Sequence, residues 1–436
     1  MTEKTLPNYL VKSPTNDTTI LQKVAMCIRS VIYGNQDWTI LSNNKNQSLG
    51  YKGIKTTPQK RQLGLITFPE LINGKGTEVS SWLSKLLSTL LIWPGIFSDE
   101  YSSNNNFTID LVLEKIKERL LSLKSNYCKQ SAMPSLIEKV NLNWPENKKS
   151  LNVAMVQSKL PFKSDFISNG ILLDNPIYRV KHRRHVANMA DLIIKQIKAQ
   201  NLCTDSIHEN EVDLIIWPEL AVHQDDIDIL IHLSRKTNAI IFSGLTFLEQ
   251  NNIDGPNNCA IWIIPSLSKT GQKEILRLQG KKNMMKDEEK KIKPWRPYQF
   301  MLELTHPLFP SKKGFIITGS ICYDATDISL SSDLRSKSDT YIISALNQDI
   351  NTFDSMVEAL HYHMYQPVIL VNSGEFGGSY AKAPYKEPYH RLIAHNHGNN
   401  QVSINTFEIN MFDFRKDNIG SGLKSGLKTK SKPAGL

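Results

Sequence analysis

From residue 151 onward the sequence alternates short, almost wholly apolar runs with amphipathic stretches of helical length, and this alternation limits the fold more than any other feature. The run 212–217, expected as a strand, holds Leu214-Ile215-Ile216-Trp217 with no polar face, so it must be covered on both sides. Similar strand-forming runs fall at 151–156, 239–245, 258–264, 274–279, 314–321, 340–346 and 367–372, with two more strands within 391–409. Between them, 186–199, 225–237, 328–336 and 356–366 carry apolar residues at helical spacing. Sheets alternating with covering helices predict a layered α/β domain over 151–415.

The first 150 residues have a different texture. Asn, Ser, Thr and Lys dominate 43–60 and 98–106, which read as loops. Helical spacing appears at 81–91, ended by Pro94, and at 110–123, where Val112, Ile116, Leu120 and Leu123 recur. The expectation is a mostly helical N-terminal extension of unassigned role, and beyond 415 a flexible basic tail over 416–436. Hydrophobic residues make up 40% of the 436, enough to bury a large core and to exclude disorder throughout. No apolar run reaches the roughly 18 residues of a membrane-spanning helix. The longest, 83–96, is interrupted by Lys85, Ser88, Thr89 and Pro94. Met1-Thr2-Glu3-Lys4 lacks the basic-then-apolar order of a secretory signal, so a cytoplasmic location is expected.

Five cysteines (Cys27, Cys128, Cys203, Cys259 and Cys322) show no paired spacing, which argues against a disulfide framework or a zinc knuckle. The net charge of +10 is spread along the chain and reads as a solvated surface; it does not by itself indicate a nucleic-acid partner. His361, His363, His390, His395 and His397 define no complete metal-ligand set. His361 and His363 face apart on a helix, and His395 and His397 lack a third ligand.

Three segments bring a reactive side chain to the end of an apolar strand, where function in α/β proteins concentrates. In Ile216-Trp217-Pro218-Glu219 the proline stops sheet pairing and leaves Glu219 at the strand tip. Gln279-Gly280-Lys281-Lys282-Asn283 runs from a strand into a polar turn. Ile317-Thr318-Gly319-Ser320-Ile321-Cys322-Tyr323-Asp324 delivers a thiol to a turn whose N–H groups favour its thiolate.

The order Pro-Glu, Gly-x-Lys, Ile-Cys-Tyr-Asp resembles the nitrilase, or carbon–nitrogen hydrolase, superfamily with its Glu-Lys-Cys triad, over most of 151–415. Residues 151–157 are similar to that family's opening strand, 372–374 to its Asn-x-Gly, and 378–384 to its Gly-x-Ser-then-Pro segment. The resemblance implies a four-layer α-β-β-α sandwich, Cys322 as nucleophile, Glu219 as general base and acid, and Lys282 as oxyanion stabiliser with the N–H of Tyr323. Lys281 is the adjacent alternative, since strand alternation sends the two lysines in opposite directions. A second carboxylate near the nucleophile falls to Glu288 or Glu289. Phe68-Pro69-Glu70 repeats the local pattern of Glu219, but without a strand like 151–157 ahead of it.

These residue types suit the chemistry. A carboxylate that takes the thiol proton activates a modest nucleophile, an ammonium and a backbone N–H hold the charge that develops on oxygen, and the same carboxyl returns the proton to the leaving amine. The expected reaction is cleavage of a non-peptide C–N bond, amide or carbamoyl before nitrile, through a thioester. It requires no metal or organic cofactor and takes a small-molecule substrate. The resemblance also implies a homo-oligomer. The chain departs from the family after Cys-Tyr-Asp, where Ala325-Thr326-Asp327-Ile328 replaces Arg-Phe-Pro-Glu, and it lacks the family's His after the lysine. These departures, the long N-terminal region and the positive charge motivate a second reading. In it the chain is a nitrilase-like scaffold or binding module in a nucleic-acid-associated defence setting, although no Tyr-x-Asp-Asp polymerase signature is present.

Overall fold

The computed structural model describes residues 133–203, 212–250, 255–268, 271–296 and 298–436, with Leu113, Glu114, Lys117, Tyr127, Cys128, Gln130 and Ser131 before them. Glu70 and the helical segment expected at 81–91 lie outside the described residues. Of 110–123 only Leu113, Glu114 and Lys117 are described, and they are helical. Of the chain's two compact units, the second takes in Cys128–Met133 and Ile137–Leu436.

In chain order the strands are β1 (Tyr127–Cys128), β2 (Met133–Val140), β3 (Ser150–Gln157), β4 (Leu214–Ile216), β5 (Ile240–Gly244), β6 (Leu248–Glu249), β7 (Pro256–Asn257) and β8 (Cys259–Ser268). There follow β9 (Gly271–Gly280), β10 (Gln299–Leu304), β11 (Phe315–Ile321), β12 (Thr340–Ala345), β13 (Val368–Asn372), β14 (Ser379–Lys382), β15 (Leu392–Asn396) and β16 (Ser403–Asn410). They form an eight-stranded sheet in the order β1-β2-β10-β11-β12-β13-β14-β15 and a six-stranded sheet in the order β16-β3-β4-β5-β8-β9, while β6 and β7 make a separate pair. The centres of both sheets are parallel, β3-β4-β5 in the smaller and β11-β12-β13 in the larger. Parallel pairing explains why these strands read as continuous apolar runs. At the smaller sheet's edge β16 runs antiparallel to β3 over its whole length, from Ser403 opposite Gln157 to Asn410 opposite Ser150.

The two sheets face each other through aromatic side chains. Trp262 of β8 packs 4.4 Å from Phe242 of β5 and 5.3 Å from Phe300 of the opposite sheet, centroid to centroid. A Cβ at residue 319 on β11 would come within 2.9 Å of Phe242 Cζ, so glycine there makes room for the rings. All three aromatic rings are fully buried, and burial of each contributes about 1.5–3 kcal/mol. Helices cover the outer faces. Helix α1 (Pro176–Cys203) packs on α2 (Ile227–Thr237), which lies against β5 and β8. Beyond β11 comes α3 (Ile328–Leu334), and α4 (Ile350–His363) lies against β13 and β14. The layers are α-β-β-α, as the resemblance implied.

Several elements depart from the sequence expectation for local reasons. Helix α1 starts ten residues before 186 because Asn175 Oδ1 accepts the N–H of Ile177 (3.0 Å) and Tyr178 (3.4 Å), with Pro176 at the first position. Its first turns are rich in Arg and His, which conceals the apolar periodicity, although His182 is buried. Strand β2, upstream of 151, is masked in the sequence by Pro134 and by Glu138, whose buried carboxylate pairs with Arg277 at 2.8 Å. The tail does not hang free. Lys386 N–H donates to Lys428 O, Lys430 N–H to Pro384 O, and Tyr365 Oη to Lys430 O. A Gly/Lys-rich composition suggested flexibility, but it is the backbone of this segment that is bound, and backbone groups are common to every composition.

Candidate active site

Four strand ends, two from each sheet, meet at one place. Strand β4 ends before Trp217-Pro218-Glu219, where Trp217 N–H still donates to Phe242 O and the chain then turns, with Leu220 at φ +58°. The turn rests on Gly244, where a Cβ would sit 2.5 Å from Glu219 Cα and 2.6 Å from Leu220 N. Only glycine lets the two backbones approach so closely. Strand β9 ends at Gly280, where a Cβ would sit 1.7 Å from Trp295 O, and Lys281 follows, its N–H bonded to Asn258 O at 2.9 Å. Strand β11 ends at Ile321. Cys322 opens a 3-10 turn with φ +46°, a left-handed conformation that costs a non-glycine residue on the order of 1–3 kcal/mol and concentrates at functional sites. Strand β12 ends at Ala345, and the next amide, Leu346 N–H, points back at Glu219.

The side chains converge on Glu219, which is 2% exposed. Its Oε1 accepts from Lys281 Nζ (2.9 Å) and Asn258 Nδ2 (2.7 Å), and its Oε2 accepts from Leu346 N–H (2.9 Å). Lys281 Nζ also reaches Glu288 Oε2 at 3.1 Å. Burial disfavours an ammonium, but Glu219, the sulfur of Cys322 and Glu288 outweigh it and hold Lys281 above the ordinary lysine range. Cys322, 5% exposed, lies in the field of the same groups. Burial and then the Glu219 charge push its thiol well up, and Lys281 pulls it down. These effects favour the ammonium form of Lys281 against Glu219 and the neutral form of the Cys322 thiol.

Glu219, Cys322 and Glu288 are thus brought together as the sequence suggested, but Lys282 is not. The lysine at Glu219 is Lys281. Lys282 is exposed and contributes its backbone N–H to the Asp324 carboxylate (3.2 Å). Lys281 N–H still bonds Asn258 O one step past the Cys259–Gly280 pair, and Lys281 stands two residues from buried Gln279, so the strand's alternation carries Lys281 inward and Lys282 outward. Tyr323 follows the sulfur in the turn, with its side chain 40% exposed. The side chain of Glu289 lies outside the described residues. Sequence reasoning missed Asn258 and the Leu346 amide, which no motif marks. It also missed the buried ion pair between Arg296 and Asp324 (3.0 Å), the latter two residues past Cys322 in the same turn; the Asp in Ile-Cys-Tyr-Asp was the available signal.

Helix α1 secures the Glu219 loop through His182, whose Nε2 lies 3.0 Å from Ala221 O. Burial, reinforced by Arg179, lowers the His182 pKa from 6.5 to about 4. His185 is lowered likewise to about 4, by burial and by Lys159 and Lys181. Because the folded values lie below the unfolded ones, the unfolded chain takes up protons first, and stability falls as pH drops from 6.5 toward 4. For His182 the loss amounts to roughly 3 kcal/mol. Urea midpoints are expected to decline across this window, and His182→Gln to flatten the decline. An unchanged slope in that variant would remove His182 from the account.

No family model matches the chain, and no curated protein does. Solved structures similar to it include Nit3 of Saccharomyces cerevisiae, a member of branch 10 of the nitrilase superfamily. The identity there is 14%, covering 60% of this chain and 91% of that one, with a TM-score of 0.42. XC1258 of Xanthomonas campestris, a CN-hydrolase superfamily protein, gives 14% over 60% and 91%, with a TM-score of 0.40. An amidase from Nesterenkonia sp. gives 12% over 60% and 91%, with a TM-score of 0.41.

Proposed function

We propose that the chain is a carbon–nitrogen hydrolase that cleaves a small non-peptide amide or carbamoyl group through a thioester on Cys322. The observation that carries this reading is the buried Glu219–Lys281 ion pair at 2.9 Å, placed in the field of a thiol on a left-handed turn. Burying two charges is costly unless they are paired and hydrogen-bonded. Here the remaining carboxylate oxygen accepts a backbone N–H, and the pair stands where proton transfer and charge stabilisation are both needed.

In this reading the substrate carbonyl carbon approaches Cys322 Sγ. As the C–S bond forms, the thiol proton passes to Glu219, and the carbonyl electrons move onto oxygen, held by the Lys281 ammonium and the N–H of Tyr323. Collapse of the adduct breaks the C–N bond, and the leaving nitrogen takes the proton from Glu219. Water then attacks the thioester and gives a proton to Glu219. The acid departs, and the proton returns to sulfur. Each group ends as it began. Glu288, also on Lys281, keeps that ammonium from turning away from the site.

The test is intact-mass analysis after incubation with small primary amides and with fluoroacetamide. A mass increase is expected that maps to Cys322, together with ammonia release from the amides. Cys322→Ala is expected to show neither. A variant lacking Cys322 that still releases ammonia would end this reading. A folded protein that takes up no adduct and retains RNA or DNA in a salt-sensitive manner would favour the scaffold.

A further inference from the structure

Behind the reacting groups lies a second set of buried charges that the proposed reaction does not use. Asp324 is fully buried, two residues beyond Cys322 in the same 3-10 turn. Its Oδ1 accepts the N–H of Asn283 at 2.8 Å and of Lys282 at 3.2 Å. Its Oδ2 meets Arg296 Nη1 at 3.0 Å, and that arginine side chain is 1% exposed. Arg296 Nη2 in turn donates to Gln299 Oε1, and Gln299 Nε2 donates to Thr318 Oγ1 (2.6 Å) and Gly319 O (2.8 Å) on the strand that leads to Cys322. The turn bearing the sulfur and the turn bearing the ammonium are therefore tied to one carboxylate, and that carboxylate is tied back to the nucleophile strand.

We propose that Asp324 is a positioning residue that locks the Lys281 turn to the Cys322 turn, with Arg296 as the counter-ion that keeps its negative charge from opposing a thiolate. The proposal rests on the hydrolase reading for its consequence, but not for its geometry. A carboxylate alone would clamp the two amides equally well, yet it would put an uncompensated buried charge into the turn that carries the sulfur, two residues on, where Glu219 and Glu288 already disfavour ionisation. The paired arginine cancels that charge and leaves the clamp intact. The segment 325–328 carries no arginine of its own, so the counter-ion comes from the stretch between β9 and β10.

The test uses iodoacetamide, whose rate of reaction with Cys322 follows the thiolate fraction while the pH stays below the thiol's pKa. At pH 8, Asp324→Asn leaves Arg296 unbalanced against the turn that carries the sulfur and is expected to raise the alkylation rate by roughly 3- to 10-fold. Arg296→Gln leaves the carboxylate unbalanced and is expected to lower the rate by a similar factor. Arg296→Lys is expected to restore it to within about twofold, because it keeps the charge. Site occupancy is read by peptide mass at Cys322. Two single variants moving the rate in the same direction, or both leaving it unchanged, would overturn the proposal, since a merely structural role does not reverse sign. If Arg296→Gln fails to fold, Asp324→Asn and the double variant Arg296→Gln/Asp324→Asn decide. The first must alkylate faster than the parent, and the second must return to within about twofold of it. Alkylation needs no turnover, so a failed hydrolase reading leaves this result standing.

Discussion

Lys281→Met is expected to lower ammonia release from a small primary amide by about 100- to 1,000-fold, whereas Lys282→Met stays within about threefold of the parent. The scale is that of removing one donor to a developing oxyanion. The contrast follows from geometry: Lys281 Nζ lies 2.9 Å from Glu219 and 3.1 Å from Glu288, while Lys282 is exposed and engages Asp324 only through its backbone, which methionine retains. Lys281→Met also leaves Glu219 buried without a counter-charge, a defect that typically costs about 3–5 kcal/mol. Its melting temperature should fall well below that of Lys282→Met, and both are measured beside turnover. Equal activity losses, or a loss confined to Lys282→Met, would return the oxyanion role to Lys282.

Glu219→Gln is expected to separate two properties that usually move together. The amide keeps an oxygen for Leu346 N–H but takes no proton from sulfur, so turnover should fall by about 100- to 10,000-fold. The thiol, meanwhile, loses one of the charges that raise its pKa and keeps the Lys281 charge that lowers it. Alkylation of Cys322 by iodoacetamide near neutral pH should therefore become faster in the variant whose catalysis is worst. Measured on the same preparation, slower alkylation and slower turnover together would mean that the substitution had merely displaced the sulfur, and the general-base assignment would fail.

Much of the layered region was legible because its central strands are buried on both faces and carry hardly any polar residue; β5, β12 and β13 match their apolar runs to within a residue or two. Of the strands that were not legible, two bury a polar group at their start. Strand β10 holds Gln299, satisfied by Thr318 and Gly319, and β14 opens with Ser379, bonded to Gln157. Such strands become readable only when the partner is known, and a sequence does not display its partners. The site divides in the same way. Glu219 and Cys322 sit where apolar strands stop, a signal carried in the chain itself. The choice between Lys281 and Lys282 depended on which face of β9 meets the opposite sheet, and that face is marked by Gln279 Nε2 donating to Gly319 O, on a strand further along the chain. Asn258 and the Leu346 amide serve Glu219 only through the meeting of distant strand ends.

The pairing of β16 with β3 bears on how the protein is made. The smaller sheet's first strand is flanked on one side by a neighbour that follows it by some 60 residues, and on the other by one that emerges from the ribosome only about 245 residues after it. Throughout that interval the nascent chain presents β3 as an open edge of the kind that recruits unintended strands. Vectorial synthesis thus leaves the smaller sheet unsealed until its final strand arrives. A release from translation before residue 403 would yield a polypeptide that contains Glu219, Lys281 and Cys322 yet lacks the strand that closes the sheet edge beside β3.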